Sequence, residues 1–328
     1  MKLNFTDRPI AIIGDLILDC YMFGLAERLS PEAPVPVVNI NEYSMAYSLG
    51  GAGNVAAGIK ALGGNPILIS ATGKAESPES SRIDSLLLDL EIDTTRILHD
   101  PARKTSVKTR LIANNQQIAR IDNEEISPIT EDSEVSISFF LRHIPDLAAI
   151  IISDYAKGVI TESLISRIAT ASQKNNIPVF LDPKVMHKDI YRGHFITAMT
   201  PNTREAEDLI GRTSSDIDII GRRILANYSH QYVLITRGEH GVALFDANWV
   251  NGERAKDYSI TYLPAVAKHV FDVAGAGDTV IAALTLAYAS GYPMLESARI
   301  ANLAAGVVVG KPGTAICTRK ELEEIYET

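Results

Sequence analysis

The sequence VFDVAGAGDT (residues 270–279) runs directly into Val280–Ser290, a small-residue apolar segment typical of a buried helix. Glycines just before a helix let backbone N–H groups converge on an anion, and the helix dipole adds to the attraction. Asp278 is unusual at such a place because its carboxylate repels a phosphate, but it suits a base that takes a proton from a hydroxyl. The competing interpretation is a helix N-cap, where Asp is common.

Short apolar runs alternate with amphipathic segments over much of the chain. The runs predict buried strands at Pro9–Ile13, Asn65–Ser70, Ala148–Ile152, Pro178–Leu181 and Tyr232–Thr236. The segments between them predict helices at Gly53–Leu62, Ser80–Leu90, Glu131–His143, Thr161–Asn175 and Thr203–Ile210. This alternation predicts an α/β fold with three layers, α/β/α, around a mostly parallel central sheet.

Two stretches, at approximately 16–43 and 104–122, contain strand-like segments without a helix between them. The second includes Asn114-Asn115, a turn signal between Ser106–Leu111 and Gln117–Ile121. We interpret both stretches as a small β-sheet lid inserted within a single domain that spans residues 1–328.

The composition narrows the function classes. A formal net charge of −9 argues against nucleic acid or an anionic membrane as the main partner, because phosphate backbones are bound by clustered Lys and Arg. The two cysteines, Cys20 and Cys317, lie far apart without metal-ligand spacing. The N-terminus lacks the pattern of a secretory leader or membrane span, so we expect a cytoplasmic protein.

A second glycine loop contains Gly50, Gly51 and Asn54, and its Gly51-x-Gly53-x-x-Ala56 formally matches a dinucleotide-binding fingerprint. The residues before it, Tyr43–Ser48, do not read as a buried strand, which argues against a dehydrogenase. The loop suits close backbone approach to a polyhydroxyl ligand, which the Asn54 amide can bind as donor and acceptor.

Two carboxylates, Asp15 and Asp19, follow the first predicted strand, where open α/β sheets bind ligands. Paired sugar hydroxyls are natural partners for such groups. Turn chemistry is the alternative, although it explains one of the two more easily than both.

Together these motifs resemble the ribokinase-like (PfkB) carbohydrate kinases. The motifs that carry the resemblance, in family order, are Gly14-Asp15 with Asp19, Gly50-Gly51 with Asn54, Asn202-Thr203-Arg204-Glu205, Thr236-Arg237-Gly238 and Gly275-Ala276-Gly277-Asp278. The resemblance implies a ribokinase-like fold and phosphoryl transfer from ATP. It makes Asp278 the catalytic base and gives the amides of Gly275, Ala276 and Gly277 the role of an anion hole.

The resemblance also implies a nucleotide site. Asn202, Thr203, Arg204 and Glu205 would arrange water and Mg²⁺ around the phosphates, with Glu205 as the metal-associated residue; a simple helix cap is the alternative. Thr236, Arg237 and Gly238 would reach the phosphates, and Asn302 and Gly306 would face the adenine or ribose unless they are packing positions. The resemblance leaves open whether a monovalent cation binds beside the anion hole.

Other motifs are similar to a subfamily that phosphorylates D-glycero-D-manno-heptose 7-phosphate at C1 in lipopolysaccharide synthesis. They are Arg28–Val37, Asn115-Gln116-Gln117, Ser153–Gly158, Asp182-Pro183-Lys184 and Ala304–Lys311. No HxGH nucleotidyltransferase motif occurs before Thr328, so we expect a stand-alone kinase or an isolated kinase domain. Departures at Gly53 and Gly73–Glu76 leave open a kinase for another sugar or sugar phosphate, such as a fructose phosphate. A sugar- or nucleotide-binding regulator is the non-enzymatic alternative.

Four basic residues are candidate ligands for the distal phosphate of such an acceptor. Lys108 and Arg110 share one face of a predicted lid strand, and Arg120 and Lys157 complete the set. Arg110 and Arg120 are favoured because a guanidinium binds phosphate bidentately. A charged edge strand is the alternative for the lid residues. Since lid sheets of this family often dimerise, we expect a homodimer through Val35–Tyr43 and Lys104–Ile121.

Overall fold

A computed structural model of the chain describes residues 2–250, 253–254, 258–267 and 270–327, without the side chains of 41–43, 249–250 and 253–254. Its main sheet has nine strands in the order β15-β12-β11-β10-β9-β8-β1-β4-β5. These strands are β1 (Pro9–Gly14), β4 (Asn65–Thr72), β5 (Ile97–His99), β8 (Ala149–Ser153), β9 (Val179–Asp182), β10 (Ile196–Met199), β11 (His230–Thr236), β12 (Val242–Asp246) and β15 (Ser259–Leu263). Every pairing is parallel except those of β12 with β11 and with β15.

Helices cover both faces of this sheet. Side chains alternate across it: Ile10 and Ile12 pack into one apolar cluster, Ala11 and Ile13 into the other, and all four are fully buried. The first cluster is completed by α1 (Ala52–Ala61), α2 (Pro78–Asp89), α7 (Ala276–Ala289), α8 (Met294–Val308) and α9 (Arg319–Tyr326). The second is completed by α3 (Glu131–Arg142), α4 (Glu162–Asn175), α5 (Thr203–Leu209) and α6 (Ile217–Asn227). The predicted three-layer α/β/α architecture is therefore confirmed.

The lid is a separate four-stranded sheet in the order β3-β2-β6-β7. Its strands are β2 (Leu16–Leu29), β3 (Pro36–Gly51), β6 (Ser106–Ala113) and β7 (Gln116–Asn123). The β6–β7 hairpin turns at Asn114 and Asn115, both with positive φ, as the sequence predicts. A further two-stranded ribbon pairs β13 (Trp249–Val250) with β14 (Glu253–Arg254). None of the described helices is long and apolar enough to cross a lipid bilayer.

The structure corrects the extent of the lid. Tyr43–Ser48 belong to β3, which continues to Gly51 and pairs with β2 on both sides of a register shift. Several of these residues are partly exposed, which explains why the segment lacks the apolar run of a buried strand. Because β3 belongs to the antiparallel part of the lid, the glycine loop after it still lacks the βαβ context of a dinucleotide site.

Candidate functional site

Polar side chains gather where the carboxyl ends of three neighbouring parallel strands approach the start of α7. Asp15 follows β1, Asp154 and Tyr155 follow β8, and Asp182 ends β9. Parallel strands present their carboxyl ends at one edge of a sheet, which is where open α/β sheets bind ligands. Asp278 meets this edge from α7.

Asp278 is not the N-cap of its helix. Gly275 holds that position in a left-handed conformation, with φ 77°, and no side chain caps the helix there. The Asp278 carboxylate is instead held by two donors: the Asn54 side chain at 2.8 Å on Oδ2 and the Tyr155 hydroxyl at 2.7 Å on Oδ1. The capping alternative is therefore wrong, and the buried carboxylate is oriented toward the sheet edge.

Burial dominates the electrostatics of Asp278 and raises its pKa to about 6. The negative charge of Asp19 acts in the same direction, whereas the Asn54 and Tyr155 hydrogen bonds and the charge of Lys108 lower the pKa. A carboxylate with this pKa is still mostly ionised at neutral pH and is a stronger base than an exposed Asp.

The start of α7 offers unpaired donors next to this carboxylate. The Ala276 amide makes a long 3.3 Å bond to Val273 O, while no acceptor for the amides of Gly275 and Gly277 is found among the described residues. Gly277 also has open space on the side where a Cβ would be: no described heavy atom lies within 4 Å. This arrangement can receive an anion.

The loop that contains Gly50 and Gly51 lies directly against Asp15, which follows β1, and Asp19, which belongs to β2. A Cβ on Gly50 would lie 2.6 Å from Asp19 Oδ2, and one on Gly51 would lie 2.3 Å from Asp15 O. Both positions thus need glycine for close approach. The loop leads into α1, whose residue Asn54 contacts Asp278.

Asp15 shapes the loop after β8. Its Oδ2 accepts from the Tyr155 and Lys157 amides at 2.9 and 3.0 Å, and its Oδ1 accepts from the Val159 amide at 3.0 Å. Only 1% of the residue is exposed, and burial raises its pKa despite these three bonds. Its role as a sugar ligand stays a prediction, and its visible contacts are those of a loop-positioning residue.

Asp19 and Arg110 form a close ion pair across β2 and β6, with 2.5 Å between Oδ1 and Nη1. Lys108 lies on β6 as Arg110 does, with Nζ 5.1 Å from the centre of the Tyr155 ring, and burial lowers the pKa of Lys108. No carboxylate lies within 4 Å of Lys108 Nζ among the described residues. Of the predicted phosphate ligands, Lys108 is therefore the cation most available to an anion beside Asp278.

The other two basic candidates are occupied by neighbouring acids. Arg120 donates to both oxygens of Asp122, each at 2.9 Å, and about half of its side chain is exposed. Lys157 donates to Glu124 at 2.6 Å in a more enclosed position. For either to bind phosphate, the anion must compete with a carboxylate.

The predicted nucleotide residues lie around the ends of β10 and β11. Asn202 and Glu205 form a complete capping box, with Asn202 Oδ1 accepting from the Glu205 amide at 2.9 Å and Glu205 Oε2 accepting from the Asn202 amide at 3.0 Å. The two residues therefore meet through the cap rather than along one helix face. Arg204 is exposed, and Thr203 Oγ1 donates to Thr236 O at 3.2 Å.

The remaining nucleotide candidates lie on adjoining segments. Arg237 stacks over the Tyr262 ring at 5.0 Å, and Gly238 has a positive φ with open space beside it among the described residues. Asn302 donates to Pro264 O at 2.8 Å, and a Cβ on Gly306 would lie 2.6 Å from a methyl group of Val266. Asn302 and Gly306 thus both support the segment after β15.

Tyr155 and Asp182 were not among the predicted site residues. Both occur in motifs noted above, and both stand at the carboxyl end of a buried strand, the same signal that identifies Asp15. The pKa of Asp182 is raised well above its usual range by burial and then by the charges of Asp278 and Glu205. The charges of the base and of the predicted metal-associated residue thus both act on Asp182.

Comparisons with known proteins show the family to which the chain belongs. The model of the "pfkB family carbohydrate kinase" family matches residues 8–321. The bifunctional protein HldE of Geobacter sulfurreducens is 41% identical over 319 residues, covering 95% of this chain and 61% of that protein. The chain thus spans about three fifths of the length of this relative.

Solved structures show the same fold. Ribokinase from Arabidopsis thaliana, complexed with ribose and ATP, superposes with a TM-score of 0.74 at 19% identity, covering 98% of this chain and 100% of that one. Phosphofructokinase-2 from Escherichia coli, in complex with potassium, gives 0.76 at 18% identity, covering 98% and 99%. At these identities the likeness concerns the fold.

Proposed function

Because the chain belongs to the pfkB family of carbohydrate kinases, we propose that it transfers the terminal phosphoryl group of ATP to the C1 hydroxyl of D-glycero-D-manno-heptose 7-phosphate. The product would be the 1,7-bisphosphate, an intermediate of lipopolysaccharide core synthesis. The acceptor is supported by the subfamily motifs in the sequence and by the 41% identity with HldE. The reaction type is supported most directly by the Asp278 carboxylate, held by Asn54 and Tyr155 beside the open start of α7.

Asp278 acts as the general base in this proposal. As the acceptor oxygen attacks the terminal phosphorus of ATP, the hydroxyl proton passes to Asp278 and ADP leaves with the electron pair of the broken bond. Base strength matters because a pKa of about 6 keeps the carboxylate ionised at neutral pH while favouring proton uptake in the transition state. Asn54 and Tyr155 keep the carboxylate in one orientation for this step.

The start of α7 stabilises the negative charge on the moving phosphoryl group. In this proposal the charge develops near the positive end of the 14-residue helix α7, where the amides of Gly275 and Gly277, which have no acceptor among the described residues, would donate to it. Lys108 adds a positive charge from the lid side. Potassium, present in the phosphofructokinase-2 complex, is the monovalent cation to test here.

Asp182 and Glu205 are the carboxylates that would face a divalent cation on the nucleotide side. Burial raises the pKa of both Asp182 and Glu205, and the Glu205 charge raises that of Asp182 further. Oxygen ligands of this kind, acting directly or through water, are what Mg²⁺ prefers. When bound, Mg²⁺ neutralises charge on the ATP phosphates, and Thr236, Arg237 and Gly238 would contact the same phosphates.

The acceptor is tested with a substrate panel at constant ATP and Mg²⁺. We expect kcat/KM to be highest for D-glycero-D-manno-heptose 7-phosphate, compared with fructose 6-phosphate and ribose, and phosphorus NMR to show a new phosphate ester at C1. Asp278→Asn, purified in parallel, controls for contaminating kinases. Faster turnover of fructose 6-phosphate would overturn the acceptor assignment, and turnover of no acceptor would favour the regulator alternative.

A further inference from the structure

We infer that Tyr155 is a positioning residue for the reaction, whose hydroxyl orients the Asp278 carboxylate and stabilises its charged form. The inference rests on the proposed role of Asp278 as the base. Its first support is the 2.7 Å hydrogen bond from the Tyr155 hydroxyl to Asp278 Oδ1, formed between groups 123 residues apart in sequence. A donor on the second oxygen, Asn54 at 2.8 Å, leaves the carboxylate little freedom to rotate.

The backbone around Tyr155 is held from two sides, so the hydroxyl is placed before any ligand binds. Asp15 accepts from the amides of Tyr155 and Lys157. Asp154 accepts from the Ala156 amide at 2.7 Å, and Ala156 adopts a left-handed conformation with φ 53°. A non-glycine residue keeps that conformation only where its surroundings enforce it.

A buried network supports Asp154 in turn. The Tyr191 hydroxyl donates to Asp154 Oδ2 at 2.6 Å, and His187 Nδ1 lies 2.7 Å from the same oxygen. Asp154 raises the pKa of His187, which favours the charged imidazole donor. The loop that carries Tyr155 is thus fixed by side chains that do not themselves reach Asp278.

The Tyr155 hydroxyl is a donor, not a competing base. Burial and the negative charge of Asp278 raise the pKa of Tyr155 well above its usual value, so the phenol stays protonated. The other charged groups that act on Asp278 are Asp19 on β2, Lys108 on β6 and Asp182 at the end of β9. Lys108 also lies over the Tyr155 ring, with Nζ 5.1 Å from the ring centre.

The sign of the effect follows from which protonation state the bond favours. A hydroxyl donor stabilises the carboxylate over the carboxylic acid, so removing it must raise the pKa of Asp278 from about 6. Hydrogen bonds to charged acceptors correspond to a shift of about one pH unit. At pH 6 the ionised fraction would then fall about fivefold, while at pH 8 it would hardly change.

Tyr155→Phe tests this inference in the full-length chain, because it removes one oxygen and keeps the ring beneath Lys108. In protein labelled with ¹³C at Asp carboxyls, the Asp278 signal is identified by its loss in Asp278→Asn, and its titration midpoint is measured without any ligand. We expect a midpoint near 6 for the wild type and about one pH unit higher for Tyr155→Phe. The control is Tyr292→Phe. It removes a tyrosine hydroxyl that lies beyond the other end of α7 and accepts from the Asn4 amide, so Asp278 should titrate in this variant as in the wild type.

An unchanged or lower midpoint in Tyr155→Phe would overturn the inference. Because this titration uses no substrate, it does not depend on the identity of the acceptor. In parallel, the acidic limb of kcat/KM, measured with the best acceptor of the panel, should move upward by the same amount. A shifted midpoint with an unshifted limb would support the action of Tyr155 on Asp278 and count against Asp278 as the base.

Discussion

Alanine at Gly275 should disturb both the stability of the protein and its catalytic base. The backbone at this position has φ 77°, which costs an alanine about 1–2 kcal/mol, partly offset by about 0.4–1 kcal/mol from the stiffer unfolded chain. The new Cβ would also lie 2.8 Å from Asn54 Nδ2, so Asn54 must move away from Asp278. That hydrogen bond to a charged group is worth about 1.5–3 kcal/mol, so the three contributions together predict a net loss of stability of about 3 kcal/mol.

Gly277→Ala is the matched control in the same motif. Gly277 has no positive φ and no described heavy atom within 4 Å of its Cβ position, and it lies inside the first turn of α7. Alanine is the better helix former by up to about 1 kcal/mol, so this variant should be slightly more stable than the wild type.

Urea unfolding followed by circular dichroism compares the two variants. We expect Gly275→Ala to unfold at a clearly lower urea concentration than Gly277→Ala, because their free energies of unfolding should differ by about 3–4 kcal/mol. Displacing Asn54 also removes a bond that lowers the pKa of Asp278, so the acidic limb of kcat/KM should move to higher pH in Gly275→Ala. Equal unfolding midpoints for the two variants would refute this account of the glycine turn.

Three further predictions concern the lid and the pH dependence. Arg110→Met leaves the buried Asp19 without its partner and should lower the free energy of unfolding by about 3 kcal/mol in a urea titration. The control Arg120→Met removes an exposed side chain and should cost under about 1 kcal/mol. Similar losses in the two variants would contradict the argument that the burial of Asp19 makes its ion pair the more important one. Activity requires ionised Asp278, so kcat/KM should fall as the pH drops through about 6, and a limb near pH 4 would contradict the raised pKa. The lid exposes 58% of Leu25 and 57% of Ile121, so we expect a dimer through this sheet in light scattering and dissociation in Ile121→Glu; a monomeric wild type at micromolar concentration would refute the interface.

Sequence patterns predicted the elements that depend on local signals. Helix α3 begins one residue after Thr130, whose hydroxyl caps it, and α4 begins in the same way after Thr161. Such caps and the 3.6-residue apolar period depend only on residues that are close together in the sequence. Ile196–Met199 and Ser259–Leu263 were not predicted as strands, and the second is mostly half-exposed, without the apolar run of a buried strand. Their strand character comes from pairing with distant segments.

The site was predictable to the level of motifs and no further. The order of the glycine loops and acidic residues predicted both Asn54 and Asp278 as site residues, and the structure brings these two positions into contact although they lie 224 residues apart. The role of Tyr155 depends on the contact between the loop that follows β8 and α7, and no local sequence pattern predicts this contact. Likewise, the face of Arg110 on its strand was predictable, but its partner Asp19 lies on a neighbouring strand and became visible only in the folded lid.

Phosphoryl transfer by Asp278→Asn is the most direct test of Asp278 as the catalytic base. The substitution keeps the shape of the side chain and removes its ability to accept a proton, so kcat should fall by about 10²–10⁴-fold. ATP binding, measured by calorimetry, and the urea midpoint should stay close to those of the wild type. Turnover within about tenfold of the wild type, in a preparation free of contaminating kinase, would contradict the assignment.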